Sequence, residues 1–354
     1  MVGDQTTPVA SVIVVATNEL HHLRDCLPTL AALDGPPTEV IVIDNASDDG
    51  TGAALAADYP WVRVVRSDER LGYAPANNLG FRHARGQYLI VLNPDTRVDP
   101  GFVRALVETS QTHGDQALVT SRICMYDDPD TINAVGNTIH FSLLAACRGL
   151  GEPRDRWQTA EWVPAISGCA FLIPRRVLEQ LGPFDESIYP YLEDTELSLR
   201  AWLGGFACVA CPDSLVFHKY DIRMKPQKFF YIERNRWLVM LRTFRLPTLA
   251  LLTPPLLVIE LCSWIYAGRR SPAYLAAKAR SYADIIRLWP VVRAGRRHLR
   301  TLRRLDDRAL LERFTVALPV RQLAGDINAP SAAITVINQF LALYYALIKR
   351  VVLW

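Results

Sequence analysis

Cysteine is scarce and unpatterned in this 354-residue sequence: seven residues, an odd number, are scattered along it, which is not the framework of a disulfide-stapled secreted protein. Cys208 and Cys211 have a metal-like spacing, but no second pair accompanies them, so FACVACPDS reads as a strand with its turn rather than half of a zinc site. The opening residues, MVGDQTTPVAS, lack a basic segment followed by an apolar core, an argument against a secretory leader and for a reducing cytosol. A Gly-x-Gly-x-x-Gly turn is also missing after the first apolar run, where ATNELHHL stands, and this removes the dinucleotide-binding oxidoreductase reading. Polar excess is absent as well: half the residues are hydrophobic, enough to bury a sizeable core.

A net charge of +3 conceals a division. Residues 1 to 220 carry 16 basic and 28 acidic side chains, whereas residues 221 to 354 carry 23 and 8. An acidic half suits a site that holds a metal cation, and a basic half suits anionic lipid head groups or nucleic acid. Nucleic acid is not expected as a partner, because the basic half also contains long apolar runs that a solvated surface would not need.

In the first part, apolar β-branched runs alternate with stretches of helical period. The series reads SVIVVA, a helix with Leu20, Leu23, Leu27 and Leu30 on one face, EVIVI, a helix after Thr51, WVRVV, a helix over Asn77 to Arg85, QYLIVL, a helix after Pro100, and ALVTS. Such alternation predicts an α/β domain with a doubly wound, mostly parallel sheet, whose ligands bind beyond the carboxyl ends of the strands. Polar clusters follow three of the runs directly: Thr17-Asn18-Glu19, Asp44-Asn45 and Asn93-Pro94-Asp95. They are expected along one edge of the sheet. Residues 124 to 165 have weak periodicity and many turn residues, and are expected to form long loops over a site. Order returns with VPAISGCAFLIP as a strand, helices from Arg175 to Leu181 and from about Asp194 to Leu203, and two closing strands in FACVACP and LVFH.

Composition changes near Tyr220, which sets the expected boundary between domains 1–220 and 221–354. Beyond it, Leu246 to Gly268 holds a single charge, Glu260, and Ile327 to Ile348 holds none; both are long enough to span a bilayer. Pro247, Pro254 and Pro255 interrupt the first run, and Asn338 and Gln339 the second. If only the first run crossed, the arginine-rich stretch from Arg269 to Arg321 would lie opposite the catalytic part, against the tendency of basic loops to stay cytoplasmic. The expectation is a helical C-terminal region lying in or on the cytoplasmic face of the membrane, peripheral or monotopic, with its arginines at the head groups. A helical subdomain or a homo-oligomer interface is the competing use of the same runs.

Several residues stand where chemistry could be done, each beside a purely structural reading. Asp44 ends a buried strand and opens the turn DNASDDGT; its carboxylate suits a base imide or a ribose hydroxyl, and equally a helix cap or Asx turn. Asn77, in LGYAPANNLG, suits ribose or phosphate, or a cap. Asp95 follows a fully apolar strand, a position that rarely needs an acid, and His218 ends LVFH in the same manner. One carboxylate and one imidazole are a donor set for a hard divalent cation, magnesium or manganese, that would neutralise a diphosphate. Glu193 and Asp194 open a helix, where acids serve either as caps or as a proton acceptor with a raised pKa.

Taken together these segments resemble the inverting glycosyltransferases of family 2 with the GT-A fold. The matches run in order through VIVVATNE, VIVIDNASDDGT, LGYAPANNLG, VLNPDT, SGCAFLIPRR, GPFDESIYPYLEDTELSLRAW and VFH, about residues 11 to 218. NPD followed by FDES and EDTELSLR is similar to the rhamnosyltransferase branch. The resemblance implies that Thr17, Asn18, Glu19, Asp44 and Asn45, with Asn77 nearby, serve the nucleotide. It makes Asp95 a metal ligand, His218 a further one, and Asp194 the catalytic base, with Glu193 and Arg200 positioning Asp194 or the acceptor. The family's Asp-x-Asp metal motif has Asn93 in its first position here, which leaves one carboxylate. The implied reaction takes a sugar, rhamnose or another hexose, from a nucleotide-diphosphate donor to a hydroxyl of a lipid-linked or other glycan of the cell envelope. A pyrophosphorylase is disfavoured by the lack of a glycine-rich basic loop near the N-terminus, and a non-catalytic scaffold by the presence of both Asp95 and Asp194.

Overall fold

The computed structural model describes residues 7–221, 223–320, 322 and 331–354. Most of the opening stretch read for a leader, Arg321, and residues 327–330 of the second apolar run lie outside the described residues.

The alternating pattern becomes β1 (Ala10–Ala16), α1 (Leu20–Ala31), β2 (Thr38–Asn45), α2 (Thr51–Asp58), β3 (Arg63–Ser67), α3 (Tyr73–His83), β4 (Tyr88–Leu92), β5 (Thr96–Val98), α4 (Phe102–Thr112) and β6 (Ala117–Met125). Helix α1 forms because Leu23, Cys26, Leu27 and Leu30 recur at helical spacing and bury one face. Every residue of β4 is buried, as expected of a strand covered on both faces. Gly86 lies just before β4 because an added Cβ would stand 2.6 Å from the carbonyl carbon of Ala10, closer than real contacts allow.

Strands β3, β2, β1 and β4 lie side by side in parallel, with Ala16 opposite Asp44 and Val14 opposite Leu92. The chain therefore leaves β1, β2 and β4 at one edge, and the three polar clusters emerge there together. After β7 (Ile132–Val135), β8 (Asn137–Ile139), β9 (Ala145–Cys147) and β10 (Glu161–Trp162) comes β11 (Ala170–Pro174), which inserts antiparallel between β4 and β6. Helices α5 (Arg175–Leu181) and α6 (Glu193–Leu203) precede β12 (Ala207–His218), which runs parallel to β6.

Three local expectations are corrected. FACVACP and LVFH are not two strands: β12 passes through Pro212 and Ser214 as an irregularity, its register with β6 shifting between Cys211 and Leu215. A bulge tolerates the proline that a regular ladder would reject. Residues 124–165 are not simply long loops but contain four short strands and a 3-10 turn at Arg154–Arg156. Only Ala170–Pro174 of VPAISGCAFLIP is strand.

By packing, the chain separates into two compact units, one of residues 1–137, 147–186 and 206–220, the other of 138–146, 187–205 and 221–354. Composition divides the chain near 220, whereas packing assigns α6 to the C-terminal helices, because α6 lies against α7 (Pro226–Thr243) and α10 (Trp289–Leu302). The second unit continues with α8 (Leu246–Arg270), α9 (Pro272–Arg287), α10 (Trp289–Leu302), α11 (Asp307–Leu311) and α12 (Ser331–Val351). Helices α8 and α12 are long and apolar enough to cross a membrane by length and composition, with 28% and 17% of their apolar windows buried.

Glu260, the single charge of the first apolar run, is not left in apolar surroundings. It accepts from Arg236 and from Trp237 Nε1 (3.0 Å) on α7, and from Lys278 Nζ (2.7 Å) and the Tyr282 hydroxyl on α9. Glu233 accepts from Arg236 Nη2 at 2.8 Å and also from Lys278. Two carboxylates thus face two fully buried cations, clamping α8 to α7 and α9. Breaking such a network strands a buried charge, at a cost of about 3–5 kcal/mol. Lys278→Met should lower unfolding stability by that amount in a urea titration, and a loss under about 1 kcal/mol, the worth of a surface pair, would show that the network is solvated.

Candidate functional site

The loops at the polar edge are built by the residues the sequence singled out. Asn18 adopts a left-handed conformation (φ 57°), its N–H donating to Ser47 Oγ at 3.1 Å and its Oδ1 accepting from the Asp48 N–H at 2.8 Å. Thr17 N–H donates to Glu19 Oε2 at 3.1 Å. Asn45 is a brace: Nδ2 donates to Thr17 Oγ1 and to the Leu71 carbonyl, each at 2.9 Å, while Oδ1 accepts from the Leu71 N–H at 2.7 Å. These hydrogen bonds tie the loops after β1, β2 and β3 into one rigid rim.

Asp44 is fully buried, and both its oxygens are engaged. Oδ1 accepts from the Ser47 N–H at 3.0 Å, and Oδ2 from Arg66, which stands opposite it on β3 and also donates to the Ser47 carbonyl at 3.1 Å. Arg66 was not foreseen; its partnership follows from the β2–β3 register rather than from any motif. The two asparagines of LGYAPANNLG differ. Asn78 spends its amide on the Phe184 backbone and on Glu186, a packing role. Asn77 donates to the Tyr73 carbonyl at 2.9 Å, but its Oδ1 is buried and has no partner among the described residues. A buried acceptor without a donor is costly, and a ligand N–H or hydroxyl would satisfy it.

Asp95 and His218 are brought together by β5, which pairs antiparallel with the end of β12, setting Thr96 opposite His218. The Lys219 N–H donates to the Asp95 carbonyl at 3.1 Å, fixing the same register. His218 Nδ1 lies 2.9 Å from Asn133 Oδ1, an acceptor, so the ring carries its proton there and turns Nε2 toward Asp95 Oδ1 at 3.4 Å. Burial would push the His218 pKa down, but neighbouring Cys169 and Asp95 hold it well above the usual range. Burial pushes the Asp95 carboxyl up, and the bond from His218 outweighs this and holds it low. Glu19 faces the same place: burial raises its carboxyl, and the Asp95 charge adds to that effect.

This donor set fits a hard divalent cation that displaces the proton between His218 Nε2 and Asp95, since one carboxylate oxygen and one imidazole nitrogen stand in adjacent positions, leaving the remainder for diphosphate oxygens and water. Among the described residues no three His, Cys, Asp or Glu side chains converge on one point, so a cation here would draw on its substrate for ligands. Asn93 stands in place of a second carboxylate; its main-chain N–H donates to the Cys169 carbonyl and its main-chain carbonyl accepts from Thr96 Oγ1, bonds that any residue there would make. Asn133, which orients His218, sits in a stretch without periodicity and carried no sequence signal.

The remaining predicted residues lie on α6, in the second unit. Tyr191 and Leu192 both adopt left-handed φ (72° and 69°), a costly turn for non-glycine residues that launches the helix. Of the eleven residues of α6, Asp194 alone is not buried. Its Oδ1 accepts from the Thr195 N–H at 2.6 Å. Arg200 pairs with Glu196 one turn earlier, at 2.7 Å. Glu193 is buried with Oε2 lacking a partner among the described residues, and burial, then the Asp194 charge, pushes its carboxyl up to about 8.

A carboxyl whose pKa is raised by folding stays protonated in the native state, so its favourable contribution is complete below about pH 4.5 and is lost as pH rises toward about 8. Glu193→Gln cannot ionise in either state. Its melting temperature relative to wild type should therefore climb between pH 5 and pH 8, as read by calorimetry. A difference independent of pH would show that Glu193 is ionised in the fold.

Residues 11–182 match the family model for glycosyl transferase family 2. Over 238 residues the chain is 29% identical to the N-acetylglucosaminyl-diphospho-decaprenol L-rhamnosyltransferase of Mycobacterium tuberculosis, which covers 60% of this chain and 76% of that protein. It is 30% identical over 135 residues to the succinoglycan biosynthesis protein ExoO of Rhizobium meliloti, covering 38% of this chain and 37% of that one. Among solved structures, S. aureus TarS 1-349 in complex with UDP-GlcNAc superposes with a TM-score of 0.54 at 15% identity, over 83% of this chain and 90% of that one. GalNAc-T7 with UDP, GalNAc and Mn2+ gives 0.51 at 18% identity, over 79% and 55%. At these identities the structural likeness is one of fold, the GT-A arrangement of the α/β sheet.

Proposed function

The chain belongs to glycosyl transferase family 2 and is a glycosyltransferase; on that premise we propose that it moves a sugar from a nucleotide-diphosphate donor to a hydroxyl of a lipid-linked glycan, in cell-envelope polysaccharide synthesis. Support for the acceptor class and for rhamnose as the sugar comes from the mycobacterial relative, whose name couples L-rhamnose with a diphospho-decaprenol acceptor. The apolar, weakly buried surfaces of α8 and α12 suit an enzyme that meets such an acceptor at the cytoplasmic face of the membrane.

The observation that carries the reading is the Asp95–His218 pair, a carboxylate and an imidazole held 3.4 Å apart at the end of the sheet. Asp95 and His218 would hold magnesium or manganese, which would supply positive charge to neutralise the leaving diphosphate. The Asn77 carbonyl oxygen accepts from a ribose hydroxyl or a base N–H, and the rim braced by Thr17, Asn18, Glu19, Asp44 and Asn45 keeps the donor in place.

Asp194 takes the proton of the acceptor hydroxyl as that oxygen attacks the anomeric carbon. The bond from that carbon to the diphosphate breaks on the opposite side, giving inversion. Two features favour Asp194 over its neighbour: it is the one residue of α6 that is not buried, and burial pushes the Glu193 carboxyl up to about 8, so that it has no lone charge to offer at neutral pH. Glu193 and Arg200 act as positioning residues for the helix that presents it.

Asp194→Asn should bind donor as wild type does and lose roughly two or more orders of magnitude in transfer, the scale of a lost general base. Chelation with EDTA should abolish transfer in wild type, with recovery on adding manganese or magnesium. Near-normal turnover by Asp194→Asn removes that residue from the role, and full activity in EDTA removes the cation. Absence of donor binding and hydrolysis by wild type would favour a non-catalytic scaffold.

A further inference from the structure

The second unit contains a pocket of about 550 Å³ for which sugar transfer has no evident need. Six arginines line it: Arg242 from α7, Arg245 ahead of α8, and Arg296, Arg300, Arg303 and Arg304 from α10 and the residues following it. Against them the lining holds one carboxylate, Asp306, which already accepts from the Ala309 N–H as the cap of α11. A solvated basic face spreads its charges apart, whereas these converge on a concavity. The proximity is felt: burial, and then the charges of Arg300 and Arg303, push the Arg296 pKa down.

Part of this set is anchored and part is open. Arg296 donates to the carbonyls of Leu241 and Phe244, and Arg303 to Thr243 and, at 2.6 Å, to the buried carboxylate of Asp307. These bonds hold the walls. Arg245, Arg300 and Arg304 are exposed and present their guanidinium groups to whatever enters. The pocket also includes Leu246 and Pro247 of the first turn of α8, where the helix dipole adds partial positive charge. Both residues are exposed, and from them α8 runs on as an apolar helix. A cationic cavity opening where an apolar helix begins has the layout of a lipid site, with phosphate held at the water boundary and acyl chains following the helix.

We propose that this arginine pocket binds the phosphate of an anionic membrane lipid, docking the second unit on the bilayer. The proposal rests on the membrane association proposed above. Arginine rather than lysine throughout the lining suits forked, bidentate contact with phosphate oxygens, which a diffuse electrostatic attraction would not require.

That distinction supplies the test. The full chain is titrated with phosphatidylcholine vesicles with and without phosphatidylglycerol, and bound protein is read by flotation. Wild type should bind only the anionic vesicles. The charge-conserving double variant Arg300→Lys/Arg304→Lys should bind them roughly tenfold more weakly, on the scale of losing one bidentate contact. Arg293→Lys/Arg297→Lys, on the same helix but outside the lining, should match wild type. Unchanged melting curves exclude misfolding. Equal binding by the pocket variant and wild type would overturn the pocket while leaving membrane association intact. Failure of wild type on both vesicle types would remove membrane association itself, and this proposal with it. Release of wild type by millimolar pyrophosphate at constant ionic strength would reassign the pocket to a soluble phosphate ligand.

Discussion

Parallel strands leave a sheet with their carboxyl ends on one side, and this constraint governs the first unit. The registers Ala16 to Asp44 and Val14 to Leu92 bring three loops to a common edge before any side chain makes a contact there. Once the loops are neighbours, Asn45 can reach Thr17 and Leu71, and Asp44 can meet Arg66 across the next strand. The short pairing of β5 with β12 then adds an imidazole to the edge. Rigidity at this rim is what a donor site requires, because preorganised groups need not be ordered again when a nucleotide binds.

The second unit obeys a different constraint, that charge inside apolar surroundings must be matched. Glu233 and Glu260 face Arg236 and Lys278 between α7, α8 and α9, so the helices with apolar outer surfaces are joined by an ionic centre. Leu257 and Leu261 on α8, and Leu343 and Leu347 on α12, remain exposed. Exposed leucine at this density calls for a covering, and the membrane surface proposed above is one that would also match the excess of arginine.

Most of the first unit was legible in the sequence, because strand runs and helical periods alternate cleanly and polar clusters mark the strand ends. Helix α6 was legible as a helix with two leading acids, but not in its chemistry: only burial separates Glu193, whose carboxyl is pushed up, from Asp194, which is half-buried. Arg200, expected to position Asp194 or the acceptor, pairs with Glu196, a partner its i,i+4 spacing already permitted. Asn133 and Arg66 were invisible because their partners are set by strand register, which no local pattern encodes. The bulge in β12 was missed for a related reason. Pro212 reads as a terminator in isolation, yet pairing with β6 on either side of it carries the strand through.

The central claim is that Asp95 and His218 jointly hold the cation that serves the donor diphosphate. Its most direct test is the anomalous scattering of manganese in a crystal of this protein grown with a nucleoside diphosphate. A single strong peak is expected within coordination distance of Asp95 Oδ1 and His218 Nε2, with diphosphate oxygens completing the shell. A peak bound elsewhere, or a nucleotide seated without manganese while His218 still donates to Asp95, would contradict it.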